Sequence, residues 1–215
     1  MSAKQVVIYG AGGFAREVAW LAEDVGYNIA AFIDDDPSHH GIRLNGLPVM
    51  GLEQGTSQFH QCEIAVAVGN PRTRQLLIEK SIRAGFRPST LIHPRVERSR
   101  WVEYGEGVVI CAGSVLTTNI TIGNHVQINL DCTIGHDVVM EDFSTLAPGA
   151  HVSGWVRLER GAYVGTGAVI INGTSTKPLV IGAGAVIGAG ACVVRSVEAG
   201  ATVAGVPAKP LAVRV

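Results

Sequence analysis

The longest regular pattern in the chain is an aliphatic residue at every sixth position between residues 110 and 170. The positions are Ile110, Leu116, Ile122, Ile128, Ile134, Met140, Leu146, Val152, Leu158, Val164 and Ile170. An amphipathic helix repeats about every 3.6 residues and a strand about every two, so neither explains this period. A six-residue unit supplies one short strand and one corner, and three units, about eighteen residues, complete a triangular coil. The pattern therefore predicts a parallel β-helix whose aliphatic side chains stack inward.

The residues around each aliphatic position are mostly small. The residue after it is often glycine, small or acidic, and the residue four places on is mostly small or β-branched. Residues 172–180 interrupt the pattern, and Gly173 and Pro178 predict a projecting, turn-rich loop there. The aliphatic positions then resume at Ile181, Ile187 and Val193.

Residues 1–93 follow a different pattern, in which short apolar strands alternate with helices. A strand at residues 5–9 runs into a glycine-rich turn and a helix, and a second strand at residues 28–33 ends in consecutive aspartates. In dinucleotide-binding folds such glycines let the backbone approach a phosphate, and an acid after the second strand binds ribose hydroxyls. The same residues also suit a tight turn and a capped loop. The candidate nucleotide-binding residues are Gly10, Gly12, Gly13, Asp34 and Asp35.

The other elements predicted in this domain are a third strand, a second helix and a fourth strand, at residues 63–68, 72–84 and 89–92. Residues 39–51 are polar and rich in glycine, and we predict a loop there with solvated histidines. About ninety residues provide only half of a doubly wound nucleotide fold. The domain is therefore predicted to bind one mononucleotide and to lack the nicotinamide site of a dehydrogenase.

Composition narrows the classes of partner and compartment. The formal net charge is −1, and without a basic stripe or stacked aromatic residues we expect no nucleic-acid partner. Four scattered cysteines without a CxxC pair favour a reducing compartment over a disulfide framework or a thiolate zinc site. The sequence has neither a signal-peptide pattern nor an apolar stretch of membrane-spanning length. We therefore expect a cytoplasmic protein without a membrane partner.

His136 is the strongest catalytic candidate among the histidines. It stands third in its six-residue unit, where the core does not require its side chain. A neutral imidazole suits a proton acceptor near pH 7, and acyl transfer from a thioester to an amine or hydroxyl needs such a base. The plain alternative is a surface histidine in a turn. A zinc site with His125 and His151 is a further alternative, but their spacing does not resemble paired ligands, and no metal is expected.

Residues 128–137 and 143–150 are similar to the active-site coil of the NeuD/PglD-type hexapeptide-repeat acetyltransferases. That family includes sialic-acid O-acetyltransferases and N-acetyltransferases of nucleotide-linked 4-amino-4,6-dideoxy sugars. The resemblance covers both parts of the chain. It implies an α/β half-Rossmann domain for the nucleotide sugar, residues 1–93, followed by a left-handed parallel β-helix, residues 94–215. It also implies acetyl-CoA as the co-substrate and a homotrimer.

The resemblance assigns roles to individual residues. His136 would be the general base beside Asp137, and Gly154, one coil further on, would offer its N–H to the thioester carbonyl. Successive residues of a strand face opposite ways, so Asp137 reaches His136 only if a turn intervenes. Gly154 also suits a plain corner. Asn129 would face the nucleotide sugar, and the remaining residues implied near CoA are Thr166, Ala183, Gly205 and Lys209.

Three functions remain open from the sequence. The first is N-acetylation of a nucleotide-linked amino sugar, the second is O-acetylation of a sialic-acid-type sugar, and the third is nucleotide-sugar binding without turnover. His136, Gly154 and Lys209 argue against the third. Phe14 and Thr145 stand where family members can carry histidine, so the sequence leaves the sugar and the nucleotide open.

Overall fold

The computed structural model describes residues 4–211, which divide into two compact units between Pro94 and Arg95. Within this described range, no helix has both the length and the apolar character that crossing a membrane requires.

The N-terminal unit is a largely parallel β-sheet with helices. Its elements are β1 (Gln5–Tyr9), α1 (Gly13–Asp24), β2 (Asn28–Ile33), a 3₁₀ helix (Pro37–His39), β3 (Arg43–Leu44), β4 (Leu47–Met50), α2 (Leu52–Phe59), β5 (Glu63–Val66), α3 (Pro71–Arg83), β6 (Arg87–Pro88) and β7 (Leu91–Ile92). The strand order is β3-β4-β2-β1-β5-β6. From Val6 to Tyr9 the central strand β1 is an unbroken apolar run because both faces of a parallel sheet are covered, and Val7 and Ile8 are fully buried.

The prediction of a loop at residues 39–51 is wrong. This segment contains the antiparallel hairpin β3–β4, and β4 then pairs in parallel with β2 and extends the sheet. The hairpin turns at Asn45 and Gly46, whose φ angles of 49° and 81° are both positive. An Asn-Gly pair favours such a two-residue turn, so the signal was present in the sequence. The helix α2 was also not predicted. The predicted fourth strand, residues 89–92, is limited to β7, and the short strand β6 precedes it.

The C-terminal unit is a parallel β-helix, as the six-residue period predicts. Its strands are β8 (Glu97–Arg98), β9 (Val102–Tyr104), β10 (Val109–Ile110), β11 (Val115–Leu116), β12 (Ile120–Ile122), β13 (Gln127–Ile128), β14 (Thr133–Ile134), β15 (Val139–Met140), β16 (Thr145–Leu146), β17 (His151–Val152), β18 (Val156–Leu158), β19 (Tyr163–Val164), β20 (Val169–Ile170), β21 (Leu179–Ile181), β22 (Val186–Ile187), β23 (Cys192–Val193), β24 (Thr202–Ala204) and β25 (Lys209–Pro210).

From β8 to β23, every third strand joins the same sheet, which gives the β-helix three faces. The first face contains β10, β13, β16, β19, β22, β24 and β25, the second contains β8, β11, β14, β17, β20 and β23, and the third contains β9, β12, β15, β18 and β21. The register is one coil of eighteen residues, so that Ile134 pairs with Val152 on the second face. The repeated aliphatic residues fill the interior, where Ile128, Ile134 and Leu146 are fully buried.

A second six-residue period appears in the backbone. From residue 110 to residue 190, apart from the interruption, the third residue after each aliphatic position has a positive φ. Glycine, asparagine and aspartate tolerate this left-handed conformation best, and they occupy most of these corners. Larger residues stand at His125, Phe143 and Trp155, with φ angles of 55°, 60° and 58°. These corner residues make the sharp turns between faces.

The predicted interruption is a loop between β20 and β21, although β21 begins at Leu179, before the predicted resumption at Ile181. Both ends of this loop form backbone hydrogen bonds to Gly154 and Trp155. The Gly173 N–H donates to the Gly154 carbonyl at 3.0 Å, and the Leu179 N–H donates to the Trp155 carbonyl at 3.0 Å. Both ends of the loop therefore rest on the corner that follows β17.

Candidate active site

His136 and Asp137 form a hydrogen-bonded pair at the corner that follows β14. The His136 Nδ1 lies 2.8 Å from Asp137 Oδ2. The two side chains meet because Asp137 has a φ of 57°, which is the turn that adjacent residues require for contact. A carboxylate only accepts hydrogen bonds, so Nδ1 carries the proton and Nε2 has the free lone pair. The His136 side chain is 54% exposed, which leaves it accessible to a substrate.

Gly154 lies against the His136 imidazole, one coil further on. The pairing of β14 with β17 brings the corners after these strands together, and the Trp155 N–H donates to the His136 carbonyl at 3.1 Å. A β-carbon at Gly154 would lie 2.5 Å from His136 Cε1 and 2.6 Å from Nε2, so a larger residue would force the imidazole to move. Among the hydrogen bonds of residues 4–211, none has the Gly154 N–H as donor. That N–H is therefore available beside the imidazole.

Trp155 is a residue of this corner that the sequence analysis missed. Its ring centroid lies 6.0 Å from that of His136, and the two rings are nearly perpendicular, at 83°. The signal in the sequence was a large aromatic residue in the third place after an aliphatic position, where neighbouring units have glycine. The six-residue pattern was described by the first and fourth residues after each aliphatic position. The third residue, which forms the corner, was not considered.

The residues implied near CoA do not lie at the His136 corner. Thr166 follows β19 and Gly205 follows β24, both on the first face, while Ala183 follows β21 on the third face. The Ala183 N–H donates to Glu159 Oε2 at 2.9 Å. Lys209 lies in the terminal strand β25 with an exposed side chain. One chain therefore brings together His136, Asp137 and Gly154, and it holds the implied CoA residues at other corners.

Asn129 follows β13 on the first face, at the same corner as Thr166. Its side chain is 7% exposed, and its Nδ2 donates to the Leu146 carbonyl at 2.6 Å. This donor of the amide is thus engaged within the chain.

The glycine turn of the N-terminal unit connects β1 to α1. Gly10 has a φ of 123°, and a β-carbon there would lie 3.0 Å from the Ala67 carbonyl oxygen, so the turn requires glycine. Gly12 caps the helix without a side-chain hydrogen bond, and α1 begins at Gly13. A β-carbon at Gly12 would meet nothing within 4 Å. The space beside Gly12 at the N-terminus of α1 is therefore open, which suits a phosphate.

Asp35 is held by two donors at the end of β2. The Tyr9 hydroxyl donates to Oδ1 at 2.6 Å, and Lys80 Nζ donates to Oδ2 at 2.6 Å. Partial burial opposes ionisation, but the hydrogen bonds from Lys80 and Tyr9 outweigh it and keep the pKa of Asp35 below its usual range. The carboxylate is therefore charged at neutral pH and 45% exposed.

Asp34 is in contact with three residues of the segment that follows it. Its Oδ1 accepts from the Asp36 N–H at 2.8 Å and lies 3.4 Å from His39 Nδ1, and its carbonyl lies 2.9 Å from His40 Nε2. His39 and His40 are exposed, as predicted, but each also contacts Asp34. The two histidines thus belong to the edge of the sheet where the glycine turn lies.

The histidines of the β-helix do not converge on a metal site. His151 Nδ1 lies 2.8 Å from the Thr133 hydroxyl on the outside of the second face, while His125 is buried against the Phe143 ring. Between residues 4 and 211, no group of three or more histidine, cysteine or acidic side chains is arranged to hold a metal ion.

Comparison with known proteins connects both units to one family. Residues 5–81 match the PglD N-terminal domain. Over 211 residues the chain is 35% identical to a GDP-perosamine N-acetyltransferase of Escherichia coli O157:H7, with 95% of each sequence covered. The chain belongs to the NeuD/PglD-type hexapeptide-repeat acetyltransferase family. Like the family, it is an acyltransferase with acetyl-CoA as co-substrate, and its β-helix is the left-handed one predicted from the resemblance.

Solved structures of this acetyltransferase family match nearly the whole chain. WeeI from Acinetobacter baumannii AYE is 36% identical, with a TM-score of 0.88 and coverage of 97% of this chain and 100% of that one. PerB from Caulobacter crescentus, in complex with CoA and GDP-perosamine, is 32% identical with a TM-score of 0.87, and 97% of each chain is covered. The acetyltransferase domain of PglB from Neisseria gonorrhoeae FA1090, in complex with acetyl coenzyme A, is 34% identical with a TM-score of 0.86, covering 98% and 100%. The predicted half-Rossmann domain and β-helix are thus confirmed.

Proposed function

We propose that this acetyltransferase transfers the acetyl group of acetyl-CoA to the amine of a GDP-linked 4-amino-4,6-dideoxy sugar of the perosamine type. The observation that carries the proposal is the His136–Asp137 pair beside Gly154, because it supplies a base, a partner for that base and a backbone donor at one corner. The similarity to a GDP-perosamine N-acetyltransferase over 95% of the chain supports the choice of sugar and nucleotide.

In the proposed mechanism, the sugar amine attacks the thioester carbonyl carbon and forms a tetrahedral intermediate with an oxyanion and an ammonium group. His136 Nε2 takes a proton from this nitrogen, and the Asp137 carboxylate stabilises the resulting imidazolium through Nδ1. The Gly154 N–H donates to the oxyanion. The carbon–sulfur bond then breaks, the imidazolium returns its proton to the CoA thiolate, and the products are the amide and free CoA.

We propose that the N-terminal unit, residues 1–93 in the sequence prediction, holds the nucleotide. The open N-terminus of α1 suits the diphosphate, and the ionised Asp35, with Asp34 beside it, suits ribose or base donors. The edge that carries these groups is also where β1 and β5 end, next to Gly10.

Replacing both Asp34 and Asp35 by alanine is expected to raise the KM for the nucleotide sugar about tenfold or more, because charged hydrogen bonds to the nucleotide are lost. The KM for acetyl-CoA should change little. The measurement is steady-state kinetics with each substrate varied in turn. Equal changes in both KM values would contradict the nucleotide role, and Glu79→Ala, on an exposed face of α3, provides the control.

The enzyme is proposed to act as a homotrimer. The implied CoA residues lie at other corners than His136, so a complete site needs a corner from a neighbouring chain. Exposed apolar side chains such as Val169 on the second face and Val186 on the first suit burial against another subunit. Sedimentation equilibrium at micromolar protein should give three times the chain mass of 22.5 kDa. A species of one chain mass would refute the trimer.

We propose a cytoplasmic location for this reaction. All four cysteines are within the described residues and none forms a disulfide, which fits a reducing compartment.

The proposed function is tested by following CoA thiol release with GDP-, UDP- and dTDP-linked 4-amino-4,6-dideoxy sugars and with a sialic acid. We expect thiol release to be fastest with the GDP-linked amino sugar, and mass spectrometry should find the acetyl group on nitrogen. Faster turnover of the sialic acid, with the acetyl group on oxygen, would support the alternative O-acetyltransferase. Binding of a nucleotide sugar without thiol release would support a protein without catalytic activity.

A further inference from the structure

Trp155 occupies a backbone position that disfavours large side chains. Its φ of 58° lies in the left-handed region, where a β-carbon crowds the following carbonyl. The next two corners along the chain meet this demand with glycine, at Gly161 and Gly167. Residues kept in disfavoured conformations are concentrated at functional sites, so the contacts of Trp155 are informative.

Two contacts connect Trp155 to His136, and a third connects it to the loop between β20 and β21. Its ring lies 6.0 Å from the His136 imidazole and nearly perpendicular to it. Its N–H donates to the His136 carbonyl at 3.1 Å, and its own carbonyl accepts from the Leu179 N–H at 3.0 Å. Trp155 therefore lies between the proposed base and the loop that connects β20 to β21.

Besides Trp155, two neighbours restrain the His136 imidazole. Asp137 holds Nδ1, and the backbone of Gly154 lies against Cε1 and Nε2. An exposed histidine with these two restraints could still rotate about its side-chain bonds, since an exposed hydrogen bond contributes little to holding it in place. The indole ring packs on the imidazole and restricts that rotation. Perpendicular packing of aromatic rings at this distance is favourable.

We propose that Trp155 is a positioning residue that fixes the His136 imidazole in its productive orientation. The inference rests on the proposed role of His136 as the base. Because a base displaced by about 1 Å can lose about 10²-fold in rate, a group that holds the ring contributes to turnover without touching the substrate. Its effect should therefore appear in kcat and depend on the presence of His136.

Trp155→Asn removes the ring and keeps a residue that tolerates a positive φ. We expect kcat to fall roughly 10-fold to 10²-fold while the KM for acetyl-CoA stays within about twofold of the original value. Trp155→Phe, which keeps an aromatic ring, should retain most of kcat. Trp155→Gly serves as a second variant if the asparagine variant does not fold. The control is Tyr104→Asn, which removes an exposed aromatic residue from β9 on the third face and should leave kcat unchanged.

A double-mutant cycle with His136→Ala decides whether Trp155 acts through the base. If it does, adding Trp155→Asn to His136→Ala should cause little further loss, because the ring it positions is already gone. Losses that multiply would overturn the proposal, as would an unchanged kcat in Trp155→Asn. A phenylalanine variant as slow as the asparagine variant would overturn it too. Full activity of His136→Ala alone would instead reject the proposed base, so the two failures are distinguishable.

Discussion

His136→Ala is expected to lower kcat by roughly 10² to 10⁴-fold, the usual contribution of a positioned proton acceptor, with acetyl-CoA binding nearly unchanged. An amine that has attacked a thioester is cationic and must lose a proton before the intermediate collapses to the amide. Without the imidazole, solvent must accept that proton. The residual activity should therefore rise with pH when kcat is measured between about pH 6 and pH 9.

His151→Ala is the matched control for this experiment. His151 is an exposed imidazole on the same β-helix, but it bonds to Thr133 on the outside of the second face and not to the His136 corner. We expect the His151→Ala variant to keep the kcat of the original protein. A folded His136→Ala variant with full kcat over the whole pH range would show that the proton goes elsewhere, and His125 and His151 would be the next residues to test.

Gly154→Ala is expected to lower kcat by about 10²-fold, because the imidazole and the added methyl group cannot occupy the same space. The new β-carbon would lie 2.5 Å from His136 Cε1, well inside van der Waals contact, and the atoms of the ring would have to move. The measurement is steady-state kinetics with acetyl-CoA and the amino sugar. A thermal melt should show a lower midpoint than the original protein.

The structure offers an internal control for the Gly154 substitution. In a His136→Ala background the imidazole is absent, so the methyl group of Ala at position 154 has room. The second substitution should then cause a much smaller drop in the melting midpoint than it does in the original protein. An equal drop in both backgrounds would show that the clash is with the backbone and not with His136. An unchanged kcat in Gly154→Ala would contradict the proposal that position 154 must leave room for the His136 imidazole.

The β-helix could be predicted from the sequence because each six-residue unit forms one strand and one corner, which gives the sequence a period of six. One aliphatic residue in six must face the interior, and the residues from Ile110 to Ile170 show this without an exception. The hairpin at Asn45 and Gly46 was missed for a different reason. Its strands are only two and four residues long, too short to show a period, and the turn dipeptide was the one available signal.

The geometry of the His136 corner could be predicted only in part. The sequence singled out His136, Asp137 and Gly154, but the contact between His136 and Asp137 depends on the left-handed backbone at Asp137, which a strand-based argument does not supply. Trp155 was missed because the corner position was not recognised as a separate period. The implied CoA residues lie at other corners than His136, and no sequence pattern within one chain shows how these corners would be brought together.

The loop between β20 and β21 bears on how this enzyme could be re-engineered. Leu158 pairs with Ile181, a separation of 23 residues where a regular coil has 18, so the stack has accepted five extra residues and resumed its register at Val164 with Ile187. Lengthening a surface loop costs little free energy compared with changing a core. The same insertion point lies beside the His136 corner. A library of variants with different loop lengths and sequences at this point is therefore a route to new sugar acceptors that leaves the β-helix unchanged.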